Sequence, residues 1–148
     1  MSIANAMKFF KEKNKSVHRM CFTLNRVGLG YMKLGQQTPT ISGGEAQRIK
    51  LAKELGKSNP GKNNLYILDE PTTGLSFSDS EKLIRLMHEL VDAGNTVIVT
   101  EHDPAVLGNC DFIIEMGPGG GSDGGYVIAT GTPRELQKNN HSVIGRYL

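Results

Sequence analysis

Thr40-Ile41-Ser42-Gly43-Gly44-Glu45-Ala46-Gln47-Arg48 is the stretch on which the reading of this chain turns. Ser42 followed three residues later by Glu45 makes a capping box, which opens a helix and leaves its first backbone N–H groups pointing outward. Gly43 and Gly44 fill the interval without side chains. With the helix dipole behind them, these amides form a small positive cradle that an anion such as a terminal phosphate could approach. Further on, Leu65-Tyr66-Ile67-Leu68 runs without alternation into Asp69-Glu70-Pro71. That pattern predicts a buried parallel strand delivering two carboxylates at its C-terminal end, where α/β sheets keep their ligands. Val97-Ile98-Val99-Thr100-Glu101-His102 predicts a second such strand, with His102 at the same end. Alone, each fragment has an ordinary reading: a capped helix start, a solvated strand end, a structural histidine. Their order together is what carries information.

Composition frames this. With 148 residues, 38% hydrophobic and 22% charged, the chain has room for one domain with a moderate core. A net charge of +2 does not by itself call for nucleic acid. No apolar run is long enough to span a bilayer and no signal peptide is evident, so a cytoplasmic chain without membrane contact is expected. Cys21 and Cys110 lie far apart and outside any Cys-x-x-Cys pair, which predicts reduced thiols and no cysteine-built metal site.

From the start, Ser2 predicts the cap of a helix with Ile3, Ala6, Met7 and Phe10 on one face. Lys8, Lys11, Lys13 and Lys15 form a basic run read as a solvated face, although a phosphate-backbone contact is physically possible. Ser16 is expected to begin a second helix through Val17, Met20, Cys21, Leu24 and Val27, closed by Gly28 as a left-handed cap. A loop follows to residue 41. The third helix is expected from Glu45 to Leu55, with Ile49, Ala52 and Leu55 inward and Arg48, Lys50 and Lys53 outward.

Residues 56–63, Gly-Lys-Ser-Asn-Pro-Gly-Lys-Asn, imitate the phosphate-binding Gly-x4-Gly-Lys but put Asn63 where Ser or Thr is needed. They also follow a helix and precede a strand, the reverse of a P-loop, so a turn is predicted there. No other stretch matches, and the chain has no Walker A motif. Ser78 with Glu81 predicts a capping box for a helix with Leu83, Leu86, Met87, Leu90 and Val91 on one face, stopping at Gly94. The strand Thr96 to Thr100 then completes a right-handed strand, helix, strand crossover. A short helix at Asp103-Pro104, strands at Asp111 to Met116 and Tyr126 to Thr130 around a glycine-rich loop, and a capped helix start at Thr132-Pro133-Arg134-Glu135 are expected after it. The tail from residue 137 carries no signal.

In this order, Ser42 to Arg48, Leu65 to Glu70 and Val97 to His102 resemble the signature motif, Walker B motif and H-loop of the ABC ATPases. A narrower resemblance comes from Gly28 to Gln36, Ser42 to Arg48 with Lys50-Leu51-Ala52, Tyr66 to Leu75, Leu90 to Val99 with Glu101-His102, and Gly125 to Pro133. These are similar to the C-terminal part of the second ATPase domain in the UvrA family, the damage-recognition ATPases of bacterial nucleotide excision repair. The resemblance implies a partial ABC-type, RecA-like α/β nucleotide-binding domain with a mostly parallel sheet and an N-terminal helical signature subdomain. Residues 1–57 would be the helical segment, 58–136 the RecA-like part, and 137–148 a tail. It implies that Ser42, Gly43, Gly44, Glu45 and Gln47 face ATP held by an opposing ABC domain, that Asp69 holds Mg2+, that Glu70 is the general base, and that His102 senses the γ-phosphate.

The cofactors implied for a complete protein are ATP and Mg2+, with no zinc site in this chain. The partners implied are damaged duplex DNA, a UvrB-like protein, the opposing ABC domain and a second copy of the parent. The family usually has histidines where Ser76 and Ser78 stand, and a leucine in place of Ile41, departures that leave a divergent drug-resistance paralogue open. A fragment of a transporter or translation-factor ATPase, and a non-enzymatic DNA-binding module, also stay open. Without a Walker A motif the isolated chain is expected to be inactive.

Overall fold

The computed structural model describes residues 1–55, 63–121 and 124–148. The turn expected at 56–63 lies outside them except for Asn63. The chain divides into two compact units, Met1–Thr100 and Glu101–Leu148.

In the first unit, α1 (Ile3–Phe10) starts where Ser2 Oγ accepts from the Asn5 N–H at 3.3 Å. α2 (Lys15–Arg26) starts slightly before the position expected from Ser16, because Asn14 Oδ1 accepts from the Ser16 and Val17 amides, both at 3.1 Å. Cys21 and Val27 are buried as the periodicity requires. Met20 is not: it is 65% exposed, on a flank that no described element covers. Gly28, at φ 77°, closes the helix, and a Cβ there would meet Leu75 Cδ2 at 2.9 Å. This close approach seats the end of α2 on the turn that follows the first strand. The loop after it is laid along the start of α1, with the Ile3 N–H donating to Met32 O at 2.8 Å.

α3 (Gly43–Leu55) packs against α2. β1 (Leu65–Asp69) and β2 (Thr96–Thr100) pair in parallel, with Leu65 opposite Thr96 and Asp69 opposite Thr100. Between them runs α4 (Phe77–Asp92), which buries Leu83, Ile84, Leu86, Met87 and Leu90. Its cap is Ser76, not Ser78 as the sequence suggested. The chain leaves the turn through Gly74 at φ 76°, so the extended residue required at a helix start falls on Ser76, whose Oγ accepts from the Asp79 N–H at 3.3 Å. Buried Asn95 ties the end of α4 to the entrance of β1, donating to Leu90 O at 2.9 Å and accepting from the Asn64 N–H at 3.1 Å. The Leu68 side of the sheet is covered, but the strands are not buried on both faces as their unbroken apolar runs predicted: nothing described covers the other face, and Leu65, Ile67 and Ile98 form an exposed apolar row there, Ile67 at 66%.

In the second unit, α5 (Pro104–Leu107) is capped by Asp103. β3 (Ile113–Gly117) and β4 (Tyr126–Gly131) form an antiparallel pair, and α6 (Pro133–Leu136) opens with the expected capping box of Thr132 and Glu135. Ile113, Ala129 and Leu136 form its core, with Leu107, Cys110 and Leu148 packed against it. The tail is anchored: buried Glu115 accepts from Ser142 Oγ at 2.6 Å and from the Val143 and Ile144 amides at 2.9 and 3.0 Å. Both cysteines are free thiols, and burial pushes both up from the usual range. No helix among the described residues is long and apolar enough to cross a membrane.

Candidate functional site

The capping box at the start of α3 closes in both directions. Ser42 Oγ accepts from the Glu45 N–H at 3.2 Å, and Glu45 Oε2 accepts from the Ser42 N–H at 2.7 Å. Glu45 Oε1 also accepts from the Tyr31 hydroxyl at 2.5 Å. The Tyr31 bond first, then the Ser42 amide, hold the Glu45 carboxyl below the usual carboxylate range, while burial and then Glu45 push the Tyr31 phenol up. The Ser42 amide is therefore engaged by its own helix. Gly43 and Gly44 are what the site offers: a Cβ on Gly43 would meet nothing within 4 Å, and one on Gly44 would come no nearer than 3.4 Å to Arg48 Nη1. The space a side chain would fill at these two glycines is therefore open, which leaves this first helical turn uncrowded on that side.

At the end of β1, the exposed Asp69 carboxylate accepts from Thr100 Oγ1 at 2.5 Å, which links the two parallel strands at their ligand end. The next residue, Glu70, has φ 41°, the left-handed region that side chains with a Cβ avoid. Its N–H donates to Thr100 O at 3.0 Å, and Glu70 Oε2 accepts from Thr73 Oγ1 at 3.3 Å. Among the described residues no three His, Cys, Asp or Glu side chains gather as a metal site, so Asp69 would offer Mg2+ a single hard carboxylate, with water and phosphate oxygens completing the set.

Two neighbouring side chains join these halves. Gln47, with its amide oriented so that both its ends are satisfied, donates to Asp69 O at 3.1 Å and accepts from the Asp69 N–H at 2.9 Å. Arg48, expected to face solvent, is 2% exposed and donates from Nη1 to Pro71 O at 2.8 Å and to Thr73 O at 3.3 Å. The burial of Arg48 has a plain cause. The buried positions of α3 are 48, 51 and 52, the i, i+3, i+4 row of an inward face. Spacing alone would have placed Arg48 inward, but its charge argued for the outside. The side chain reconciles the two by spending its charge on carbonyl oxygens.

His102 follows β2 in sequence and belongs to the second unit, where its N–H donates to Glu101 Oε2 at 3.1 Å. Ser42, Gly43, Gly44, Glu45, Gln47, Asp69 and Glu70 all belong to the first unit.

No family model matches the chain. Over all 148 residues it is 52% identical to the UvrABC system protein A of Rickettsia bellii and 53% identical to that of Aquifex aeolicus, of which it covers 15% and 16%. A crystal structure of UvrA2 from Deinococcus radiodurans matches the whole chain with a TM-score of 0.84 and 47% identity, over 18% of that protein. The chain thus spans about a sixth of the length of these relatives.

Proposed function

We propose, on the premise that this chain is of the UvrA type, that it supplies half of a composite ATP-hydrolysing site. The Gly43 and Gly44 amides, with the Ser42 side chain, receive the γ-phosphate of ATP held by an opposing ABC domain. Asp69 would hold Mg2+, which when bound would supply neutralisation of phosphate charge. Glu70 polarises the attacking water as general base, and His102 hydrogen-bonds the γ-phosphate and registers its loss. What supports this is the pairing of an open helix N-terminus with two adjacent carboxylates, tied together through Gln47 and Arg48.

In the longer protein, hydrolysis would serve recognition of damaged duplex DNA in the cytoplasm. The partners there would be a UvrB-like protein and a second copy of the parent. This part of the proposal rests on the likeness to UvrABC system protein A. The chain alone, lacking the Walker A cradle for the β- and γ-phosphates, would not turn ATP over. Glu70→Gln in a UvrA-type protein containing this chain tests the core of the proposal. ATP binding should persist while turnover falls by two orders of magnitude or more, within the usual range for a lost general base of about 10²- to 10⁴-fold. Turnover at the parental rate would overturn it.

A further inference from the structure

Glu70 occupies a backbone conformation that a residue with a Cβ resists, and such strain persists only where the surroundings over-determine it. Here the surroundings are identifiable. Before Glu70, both backbone groups of Asp69 are held by the Gln47 amide at 2.9 and 3.1 Å. After it, the carbonyls of Pro71 and Thr73 are bridged by one nitrogen of Arg48, at 2.8 and 3.3 Å. Pro71 is itself fully buried. The two clamping residues are adjacent on α3, the helix that begins with Gly43 and Gly44 immediately after Ser42.

We propose that Gln47 and Arg48 are positioning residues, a clamp that fixes the Glu70 carboxylate relative to the Gly43 and Gly44 amides. The inference rests on reading Glu70 as the base. Arg48 is 2% exposed, and although its charge also favours the ionised Glu45 and Asp79, its two carbonyl bonds are what hold the loop after Glu70. Its Nε has no hydrogen-bond partner among the described residues, so the guanidinium carries a desolvation cost that methionine of similar length would avoid. What methionine cannot do is donate to two carbonyls on the far side of the strained residue. A lysine keeps the charge but ends nearer the helix, so it reaches one carbonyl at best. Because one helix holds the loop on both sides of Glu70, a shift of the α3 N-terminus is carried to the carboxylate as a rigid displacement.

The test has two arms. In the 148-residue chain, backbone chemical shifts of Glu70 report its left-handed conformation. Arg48→Met should move Glu70 and Thr73 out of their parental pattern while the shifts of Glu101–Leu148 stay put, and Arg48→Lys should do so partially. A left-handed Glu70 retained in Arg48→Met overturns the clamp. In a UvrA-type protein containing the chain, kcat per bound ATP should fall roughly 10- to 100-fold in Arg48→Met at unchanged KM for ATP, the scale of a misplaced catalytic group. Arg48→Lys should recover part of it, which lost folding alone would not produce.

If Glu70→Gln abolishes turnover but Arg48→Met leaves kcat per bound ATP intact, the clamp is wrong and the base stands. If Glu70→Gln has no effect, the base is wrong and the shift measurement still decides the clamp. Should Arg48→Met not fold, Gln47→Leu and Arg48→Lys carry the same comparison.

Discussion

Alanine at Gly43 should move stability and function in opposite directions. Neither Gly43 nor Gly44 has positive φ, and a Cβ at Gly43 has nothing within 4 Å. At Gly44 it would sit 3.4 Å from Arg48 Nη1 and 3.8 Å from Thr73 O, ordinary contact. Alanine therefore fits both positions and carries a better helix propensity, worth up to about 1 kcal/mol and less in a first turn. Urea denaturation followed by circular dichroism should give a midpoint for Gly43→Ala that is unchanged or slightly raised. In a UvrA-type protein containing the chain, the same methyl would stand between the amides and a γ-phosphate. Each hydrogen bond to a charged group contributes about 1.5–3 kcal/mol, so loss of one such contact should slow hydrolysis about 10- to 150-fold. Destabilisation of the chain by more than about 1 kcal/mol would show that the glycine is there for the fold. Undiminished hydrolysis in a stable variant would show that no phosphate approaches these amides.

Glu115→Ala should release the C-terminal segment. Fully buried Ser142 loses its acceptor, while the two amides can rehydrate, so a loss of about 1–3 kcal/mol and faster hydrogen exchange at Val143 and Ile144 are expected; an unaltered exchange rate would refute the anchor. Acid should destabilise the first unit through Glu45, held low by Tyr31 and Ser42, and Asp79, held low by Lys82. Because both folded values lie below the unfolded ones, their stabilisation is complete above the ordinary carboxylate range and is lost as pH falls through the lowered values; the melting temperature should be flat from about pH 7 to 5 and drop below about 4.5. The exposed row of Leu65, Ile67 and Ile98 should make the isolated chain self-associate, and light scattering that finds a monomer at high concentration would count against this.

What the sequence revealed and what it withheld divide along the range of the interactions. The capping box at Ser42 and Glu45, the strands ending at Asp69 and Thr100, and most of the inward face of α4 follow from patterns a few residues long, although Val91, expected on that face, is 36% exposed. Ser76 displaced Ser78 as a cap because two serines lie within one turn and the choice depends on how Gly74 directs the chain. Arg48 was misplaced because charge and spacing disagreed, and only the carbonyls of Pro71 and Thr73, beyond a whole strand, resolve the disagreement. The partners of Gln47 and Glu115 are likewise remote in sequence, so no local pattern announces them. The bland tail acquires its role only when Glu115 meets residues 142–144.

The central claim is that the amides at the start of α3 meet a phosphate presented by another domain while Glu70 faces the attacking water. A structure of a UvrA-type protein containing this chain, trapped by Glu70→Gln with ATP and Mg2+, measures this directly. The Gly43 and Gly44 N–H groups should lie within hydrogen-bonding distance of the γ-phosphate, with residue 70 in line behind it. A γ-phosphate bound away from α3, or residue 70 turned from it, would contradict the account.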